Sequence, residues 1–522
     1  DIDQLLTESN IRPEGSKTAC TVWDERSNRP ANCAAKNVSA ALFGSFTIPL
    51  TDREAVACRP VLQLLKEAVA PFAPELSETI TTVPPEELRR AVRLFATERP
   101  SCYCTWVGLE QDNDAMQTNR AVCIFYALTG QYDRLGSNVL FATTPTKPIT
   151  GRELLPKDKA NLRLGSEKHP LGPNADPGLV QAAEVYEAII IGNPYPIKAM
   201  VLFGTDPLLG HGDPLHGKAA LEALDFYVHV DTTINPSATF ADVILPSATC
   251  WEREALMPSF EMAEDTLNWT QLRPAVVKPL YESRSDTEVI FDLASRLGLS
   301  DQFFNGDIDA AWNYQLAPSG FSVQQLRQHP LGLRSNARTR HEKYADTNRR
   351  TAQPRSFDTP TGKIEIYSAT FASAGYPPLP QFQLRKPDDN SYPLTLTFFR
   401  DIHFCDEQHR NIPRLRRKVP EPLLEIHPSA ASAQKIKDGD WIFLDTATGR
   451  VRVRAKFNES LHPAVVATVY GWWQSCHDLK LNGHDPFSES GANANLLVPN
   501  SDVDLVSASV AHRGQRCRVS KS

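Results

Sequence analysis

The sequence predicts an α/β chain that changes to all-β in its C-terminal part, and three observations carry that reading. Between residues 196 and 305, Ile197–Phe203, Lys218–Leu224, Phe226–Val230 and Ala241–Leu245 follow as strand, helix, strand, strand, the pattern of a parallel sheet. After residue 391 short strands are divided by turn residues: Leu394–Phe399, Leu423–Ile426, Trp441–Leu444, Arg450–Ala455 and Val465–Tyr470, with tight turns at Asp438-Gly-Asp440 and Thr448-Gly449. The length of 522 residues and apolar fraction of 41% suit several domains, each able to bury a core without disulfides. Gly and Pro are spread rather than periodic, which excludes collagen-like, coiled-coil and wholly disordered chains.

Taken in order, residues 1–60 show little periodicity and read as a long connection with short segments at Val22-Trp23-Asp24 and Ala41–Gly44. Residues 60–75 have helical spacing. Thr82–Thr97 reads as a helix opened by Pro84-Pro85-Glu86-Glu87, which places acidic side chains at the positive end of its dipole. Cys102–Val107 is a strand candidate, Ala115–Leu128 a helix, and 141–180 a long loop rich in Pro, Gly, Lys and Thr. Glu288–Leu297 is a helix closed by Gly298. The polar stretch 305–390, rich in Arg, Gln and Pro, reads as a linker. The expected divisions are 1–195, a partial α/β domain with long connections; 196–305, a second α/β segment; 306–390, a linker and small return segment; and 391–522, a β-barrel. No internal repeat is visible.

Charge and composition remove several function classes. The net charge of −7 comes with no basic tail, so bulk electrostatics favour neither nucleic acid nor a membrane surface as partner. No apolar run approaches the roughly 18 residues of a membrane-spanning helix. The N-terminal Asp1-Ile2-Asp3-Gln4 shows no basic or apolar leader, and both cytoplasm and periplasm stay open. The ten Cys include no C-x-x-C pair, which argues against a zinc ribbon or a ferredoxin-type cluster. They read as reduced, mostly buried thiols, with Cys102 and Cys104 the one close pair.

Candidate chemistry gathers after the strands. Gly204-Thr-Asp206-Pro207 follows a buried strand, at the edge where open α/β sheets bind ligands, and Gly204 allows close backbone approach; an ordinary βα turn would look the same. Asp231, followed by Thr232, ends the next strand. Its carboxylate can accept both N1–H and N2–H of a guanine, or it can serve as a helix cap or Asx turn. Arg253 can meet phosphate, and Asp286 either binds or caps the following helix. Arg400, His403, His409, Arg410, Arg414, Arg416, Arg417 and Lys418 form a basic run suited to a polyphosphate or to a solvated face. Phe487 and Asn495 belong to a late loop whose Asn side chains can both donate to and accept from a heterocycle.

The order of these motifs is more specific than any one of them. Val201-Leu-Phe-Gly-Thr-Asp-Pro207, Val230-Asp-Thr-Thr233, Ala241-Asp-Val-Ile-Leu-Pro-Ser-Ala-Thr-Cys-Trp-Glu-Arg-Glu254 and Thr359-Pro-Thr-Gly-Lys-Ile-Glu-Ile-Tyr367, followed by the β-rich end, resemble the dimethyl sulfoxide reductase family of molybdenum and tungsten enzymes. Asn193-Pro-Tyr-Pro-Ile-Lys-Ala-Met200 and Arg513-Gly-Gln-Arg-Cys517 look nearest to its acetylene hydratase and thiosulfate/polysulfide reductase branches. The resemblance implies dinucleotide-binding parallel-sheet domains and a barrel of the double-psi type. It also implies a bis-molybdopterin guanine dinucleotide cofactor with molybdenum or tungsten. By position, Val107 and Gln111 would line one dinucleotide; Gly204, Asp206, Asp231, Thr232, Arg253 and Asp286 would hold a guanosine and its phosphates. Phe399, Arg400, His403, Gln408 and His409 would run beneath the pterins, and Phe487, Asn495 and Arg513 would close over them. No metal-ligating residue is identified. The family's [4Fe-4S] cluster and metal ligand would lie in a preceding region, so the chain reads as the C-terminal two-thirds of such an enzyme. The expected activity is two-electron oxidoreduction of a small molecule, with an iron–sulfur electron-transfer protein as partner. The alternatives are a hydratase using the same cofactor and a non-catalytic, cofactor-binding subunit.

Overall fold

The computed structural model describes residues 5–522 except 36, 53, 161, 173–178, 260–262, 346–356, 358, 360, 361 and 383–390. The N-terminal tetrapeptide and, within the Thr359–Tyr367 motif, Pro360 and Thr361 therefore lie outside the described residues, as does part of the stretch read as a linker. The chain divides into two units: Asp1–Trp106 with Met116–Phe141 and Thr339–Gln383, and Val107–Ala115 with Ala142–Arg338 and Leu384–Ser522.

The first unit opens with two antiparallel hairpins, β1 (Thr21–Asp24) with β2 (Arg29–Asn32) and β3 (Phe46–Ile48) with β4 (Val56–Cys58). Asp24 closes the first turn by accepting from the backbone of Arg26, Ser27 and Ser39. Helices α1 (Val61–Val69), α2 (Pro74–Thr81) and α3 (Pro85–Thr97) follow. The helical period over 60–75 thus breaks where Pro71 and Pro74 fall, because proline cannot continue a helix from within. Helix α4 spans Ala115–Leu128, as expected. A cavity of about 530 Å³ lies in this unit, bordered by Leu6, Trp23, Phe46, Val61 and Tyr367.

Cys102–Val107 is not a strand. The backbone of Tyr103 is satisfied by a side chain: its N–H donates to Asn138 Oδ1 at 3.0 Å, and its carbonyl accepts from Asn138 Nδ2 at 2.8 Å. A side-chain amide stands where a partner strand would. The expectation of mostly buried thiols also fails, since only Cys476 and Cys517 are buried, while Cys102, Cys104, Cys123, Cys250 and Cys405 are exposed.

In the second unit, helix α5 (Ala182–Ile191) leads into a three-stranded parallel sheet of β5 (Ala199–Phe203), β6 (Phe226–Asp231) and β7 (Val243–Pro246), with α6 (Pro214–Glu222) as the β5–β6 crossover. Tyr186, Ile189 and Ala220 pack against Ile197 and Met200 to cover the sheet. An antiparallel sheet of β8 (Ala255–Met257), β9 (Trp269–Arg273) and, beyond α7 (Asp286–Arg296), β10 (Leu333–Arg334) comes next. Residues 305–390, read as a linker, include α8 (Ile308–Leu316) and α9 (Val323–Gln328), whose Leu316, Val323 and Leu326 bury against Leu272 of β9. The polar composition there hid a small apolar core.

The C-terminal part is a closed barrel of six strands, β11 (Leu394–Phe398), β12 (Leu423–Ile426), β13 (Trp441–Thr446), β14 (Arg450–Phe457), β15 (Val465–Thr468) and β16 (Gln515–Lys521). Around the barrel they run β11-β15-β12-β14-β13-β16, with parallel pairs β11/β15 and β12/β14. The sixth strand, carrying Cys517 and Val519 inward, was not separated in the sequence from the terminal Arg-rich motif. The alternation in β14 shows why this part folds as it does. Val451, Val453 and Ala455 point into the core, while Arg450, Arg452 and Arg454 point out. The outward face is not wasted, as Arg452 and Arg454 lie 4.7 and 5.1 Å from the Trp441 ring centroid across the β13/β14 ladder.

Among the described residues no helix is long and apolar enough to cross a membrane. The barrel core should be intolerant of voids. Ile442 is fully buried at its centre, so Ile442→Ala should cost roughly 2–5 kcal/mol. A urea titration followed by tryptophan fluorescence, with Trp441 adjacent, measures it.

Candidate functional site

The parallel register brings the carboxyl ends of the sheet into one row. Phe203 pairs with Val230, and Asp231 with Pro246. The ladder then continues beyond the strands. Gly204 N–H donates to Val230 O at 2.9 Å, Ser247 N–H to Asp231 O at 3.0 Å, and Ala248 N–H to Arg284 O at 2.8 Å. The row closes with Ser247 Oγ donating to Asp286 Oδ1 at 2.5 Å. Gly204, Asp231, Ser247 and Asp286 thus line the edge where open parallel sheets bind ligands. Asp286 is not the helix cap: Ser285 caps α7 in a capping box with Glu288, which leaves Asp286 to Ser247. Gly204 has φ +55° and open space where a side chain would begin.

Asp231 is held by a network that the motif reading missed. Its Oδ1 accepts the backbone N–H of Thr232 at 2.6 Å and of Thr233 at 3.3 Å, while Oδ2 accepts Asn235 Nδ2 at 3.1 Å. Fully buried His229 lies 3.5 Å from Oδ2, and its other ring nitrogen is 2.6 Å from Tyr227 Oη. Burial pushes the Asp231 carboxyl up, but hydrogen bonds from His229, Thr232 and Thr233 outweigh it, and the group rests below its ordinary range. The signal was present in the sequence. Tyr227, His229 and Asp231 alternate along one strand and so share a face. Thr232 itself is exposed.

Asp206 behaves differently. It is 3% exposed, its Oδ1 accepts Ser237 Oγ at 2.5 Å, and its Oδ2 is buried without a hydrogen-bond partner. Burial, with a smaller contribution from the charge of Glu407, pushes its carboxyl up to about 6. Glu407 is raised too, by burial and then by Asp406 and Asp231. The 400–410 segment therefore reaches the electrostatic neighbourhood of the sheet edge. Asp206 faces protein rather than open space, so the direct guanosine contact inferred for it is not supplied by this geometry.

The barrel-side residues divide in the same way. Arg400 pairs with Asp406 at 3.2 Å and is otherwise exposed, as are Gln408 and His409. His403 is partly open, with Nδ1 2.8 Å from Asp401. Phe399 is half-buried, and its N–H donates to Thr468 O at 3.1 Å. The basic run is not a single cationic face. Arg410 and Arg416 are buried against Trp472 and spend their N–H groups on carbonyls, including Tyr470 O at 2.7 Å and Gln474 O at 2.9 Å. Burial lowers the Arg410 guanidinium to about 10. These two organise the loop rather than meet a phosphate. The loop lies over Gly471 (φ +81°), where a Cβ would come within 2.6 Å of Glu407 Cα.

Phe487 and Asn495 hold the sheet to the barrel. Phe487 packs edge-on against Phe240 at 6.0 Å beneath Lys218, and buried Asn495 donates its amide to Leu209 O. Asn493 does the same to Leu208 O at 2.9 Å. Gln111, expected to line one dinucleotide with Val107, and Arg513, expected to close over the cofactor with Phe487 and Asn495, meet each other: Arg513 Nε is 3.1 Å from Gln111 Oε1, and Nη1 is 3.1 Å from Thr397 Oγ1. Val107 is exposed in the same loop. Arg253 is half-buried with its Nε unpartnered, and no contact ties it to the row.

Two protein families match the sequence. Residues 74–296 match "Molybdopterin oxidoreductase" and residues 394–515 match "Molydopterin dinucleotide binding domain". The chain belongs to the molybdopterin oxidoreductase family. Acetylene hydratase of Syntrophotalea acetylenica is 26% identical over 472 residues, covering 84% of this chain and 62% of that protein. A protein of Halobacterium salinarum named as a dimethyl sulfoxide reductase catalytic chain is 25% identical over 490 residues, covering 91% and 54%. The thiosulfate reductase molybdopterin-containing subunit of Salmonella typhimurium is 27% identical over 322 residues, covering 56% and 40%. The fold of acetylene hydratase from Pelobacter acetylenicus superposes with a TM-score of 0.76 at 23% identity, covering 88% of this chain and 66% of that one. The chain spans about half to two-thirds of the length of these first relatives. The family resemblance, the α/β class and the C-terminal barrel are borne out, and the family brings a molybdopterin dinucleotide cofactor.

The edge fits such a dinucleotide. Gly204 leaves room for close approach, the neighbouring Asp231 is ionised and partly exposed, and Thr232 and Thr233 border it in the open. Asp206 gives this half of the site a pH signature of its own. Its carboxyl rises from the ordinary 3.8 to about 6 on folding. Its contribution to stability is therefore full below about pH 4 and lost as pH rises through 6. Relative to Asp206→Asn, the unaltered protein should lose roughly 1–2 kcal/mol between pH 5 and 7.5. Paired denaturant titrations at the two pH values check this, and a pH-independent difference would refute it.

Proposed function

We propose that the chain is the cofactor-holding part of a catalytic subunit that binds two molybdopterin guanine dinucleotides with molybdenum or tungsten. The observation that carries this reading is the row of Gly204, Asp231, Ser247 and Asp286 at the carboxyl edge of the parallel sheet. Asp231 presents an ionised carboxylate whose Oδ2 keeps acceptor capacity beside Asn235. Guanine offers the adjacent N1–H and N2–H donors that such a group selects, and adenine does not. Gly204 admits the nucleotide backbone. Gln111 and Arg513, bonded to each other and to Thr397, would hold the second dinucleotide, and the exposed Arg400, Gln408 and His409 would lie along the pterins.

When bound, the metal–dithiolene centre supplies two-electron oxygen, sulfur or hydride transfer, or Lewis-acid activation of a hydration. The chain's own work is binding, orientation and electrostatics. Oxidoreduction of a small molecule is the first reading, in keeping with the family and with the reductases among its relatives. The whole protein would then carry an iron–sulfur cluster and pass electrons to an iron–sulfur partner protein. Hydration of an alkyne is the second reading, favoured by the likeness to acetylene hydratase over 84% of this chain.

Mild acid hydrolysis of the whole protein should release about two GMP per chain, as two guanine dinucleotides require; release of AMP or CMP would overturn the guanine assignment. Asp231→Asn exchanges one acceptor for a mismatched donor and should weaken cofactor retention about 10–100-fold. Molybdenum and pterin content at limiting cofactor supply measures it. Dye-linked turnover against acetaldehyde formation from acetylene separates the two readings of activity.

A further inference from the structure

We propose that Cys102 and Cys104 form a reversible dithiol–disulfide couple, open to oxidation by small-molecule disulfides of the glutathione type. The two thiols are 4.0 Å apart and both are exposed. Their nearness is built into the backbone around them. Asn138 grips the peptide of Tyr103 from both its N–H and its C=O. Ser101 N–H donates to Oε1 of Gln131 at 3.1 Å, and Gln131 is itself buried and anchored to Phe95 O. Arg99 fastens the preceding turn to Thr129 O at 3.1 Å. In an uncoiled segment residues i and i+2 project to one side. With the middle peptide clamped, the two sulfurs are held over the same patch of solvent.

A disulfide needs a sulfur separation of about 2.05 Å, so closure asks for a further approach of about 2 Å, within reach of rotation about the two Cα–Cβ bonds. A metal site is the weaker use of the pair, because among the described residues no group of three or more His, Cys, Asp and Glu comes together to hold an ion. The hydrogen bond to Cys104, and then its charge, raises the Cys102 thiol. The two sulfurs stand close enough for one, as thiolate, to attack an incoming disulfide and for the other to resolve the mixed disulfide.

One thiolate attacks a sulfur of oxidised glutathione, forming a protein–glutathione disulfide and releasing one glutathione thiolate, which takes up a proton. The second thiol gives its proton to solvent, attacks the protein sulfur of the mixed disulfide and releases a second glutathione. Two protein thiols are oxidised and one glutathione disulfide is reduced to two thiols. Because the ring so closed is small and solvent-facing, reduced glutathione should reopen it.

The test uses the full chain, reduced, desalted and equilibrated at graded ratios of oxidised to reduced glutathione, then alkylated and mapped by mass spectrometry. The expected result is loss of two hydrogens on the peptide carrying both residues, reversed on raising reduced glutathione. Cys102→Ser and Cys104→Ser should each abolish it and leave a glutathione adduct on the remaining cysteine. Exposed Cys250 and Cys405 serve as internal references that form adducts only. Two free thiols at every ratio, or stable adducts on both cysteines without internal closure, would overturn the proposal. Because the readout is local chemistry in a folded chain, circular dichroism of each variant accompanies it, and a variant that loses the fold is replaced by Asn138→Ala. That change frees the Tyr103 peptide and should raise the oxidant ratio needed for closure several-fold; closure at an unchanged ratio would count against the clamp.

Discussion

The candidate site depends on a hydrogen-bonded ladder that outlasts its strands. Strands β5, β6 and β7 end at Phe203, Asp231 and Pro246, yet the pairing runs on through Gly204, Ser247 and Arg284. Backbone groups beyond a strand end must find partners or remain in water. Here they find each other, and a row of loop residues acquires the rigidity of a sheet. Asp231 then needs only its local donors and His229 to stay ionised within a half-buried edge. Without the ladder, Gly204, Asp231, Ser247 and Asp286 would not be held in one row.

A second layer of order comes from side chains that resemble binding groups and act as fasteners. Arg410 and Arg416 carry charge into a place with almost no water, where a guanidinium is costly unless its donors are met. Carbonyls of the 406–410, 420, 470, 474 and 482 backbone meet most of them. Asn493 and Asn495 fasten the late loop to the sheet, and Asp213 N–H donates to Val498 O at 2.8 Å. The loops nearest the candidate site are thus held from behind, which leaves Arg400, Gln408 and His409 exposed.

Much of this was legible because period and punctuation report burial directly. The alternation Arg450-Val-Arg-Val-Arg-Ala marks β14, and the apolar run into Gly204 marks β5. The Ala115–Leu128 helix was bounded to the residue. What escaped was non-local. Nothing near Cys102–Val107 shows that Asn138 takes the place of a strand, and nothing in a polar stretch shows that Leu316 and Leu326 meet Leu272. At the site, residue type was readable but accessibility was not. Asp206, Asn495, Arg410 and Arg416 have the chemistry of ligands, and only packing turns them inward. Gln111 and Arg513, 402 positions apart, were assigned by family resemblance to separate groups, and no local signal shows that they meet.

The barrel's strand order has a consequence for the timing of synthesis. Gln515–Lys521 lies between β11 and β13, so it is the stave that closes the ring, and Arg513 just ahead of it reaches back to Gln111. A nascent chain emerging from the ribosome can fold the β5–β7 sheet early, since those contacts are near in sequence. It cannot seal the barrel until residue 521 is free. Until then β11 and β13 each present an unpaired edge, a state open to misassociation. Cofactor loading that needs the finished barrel therefore has to wait until Gln515–Lys521 has been made and has taken its place between β11 and β13.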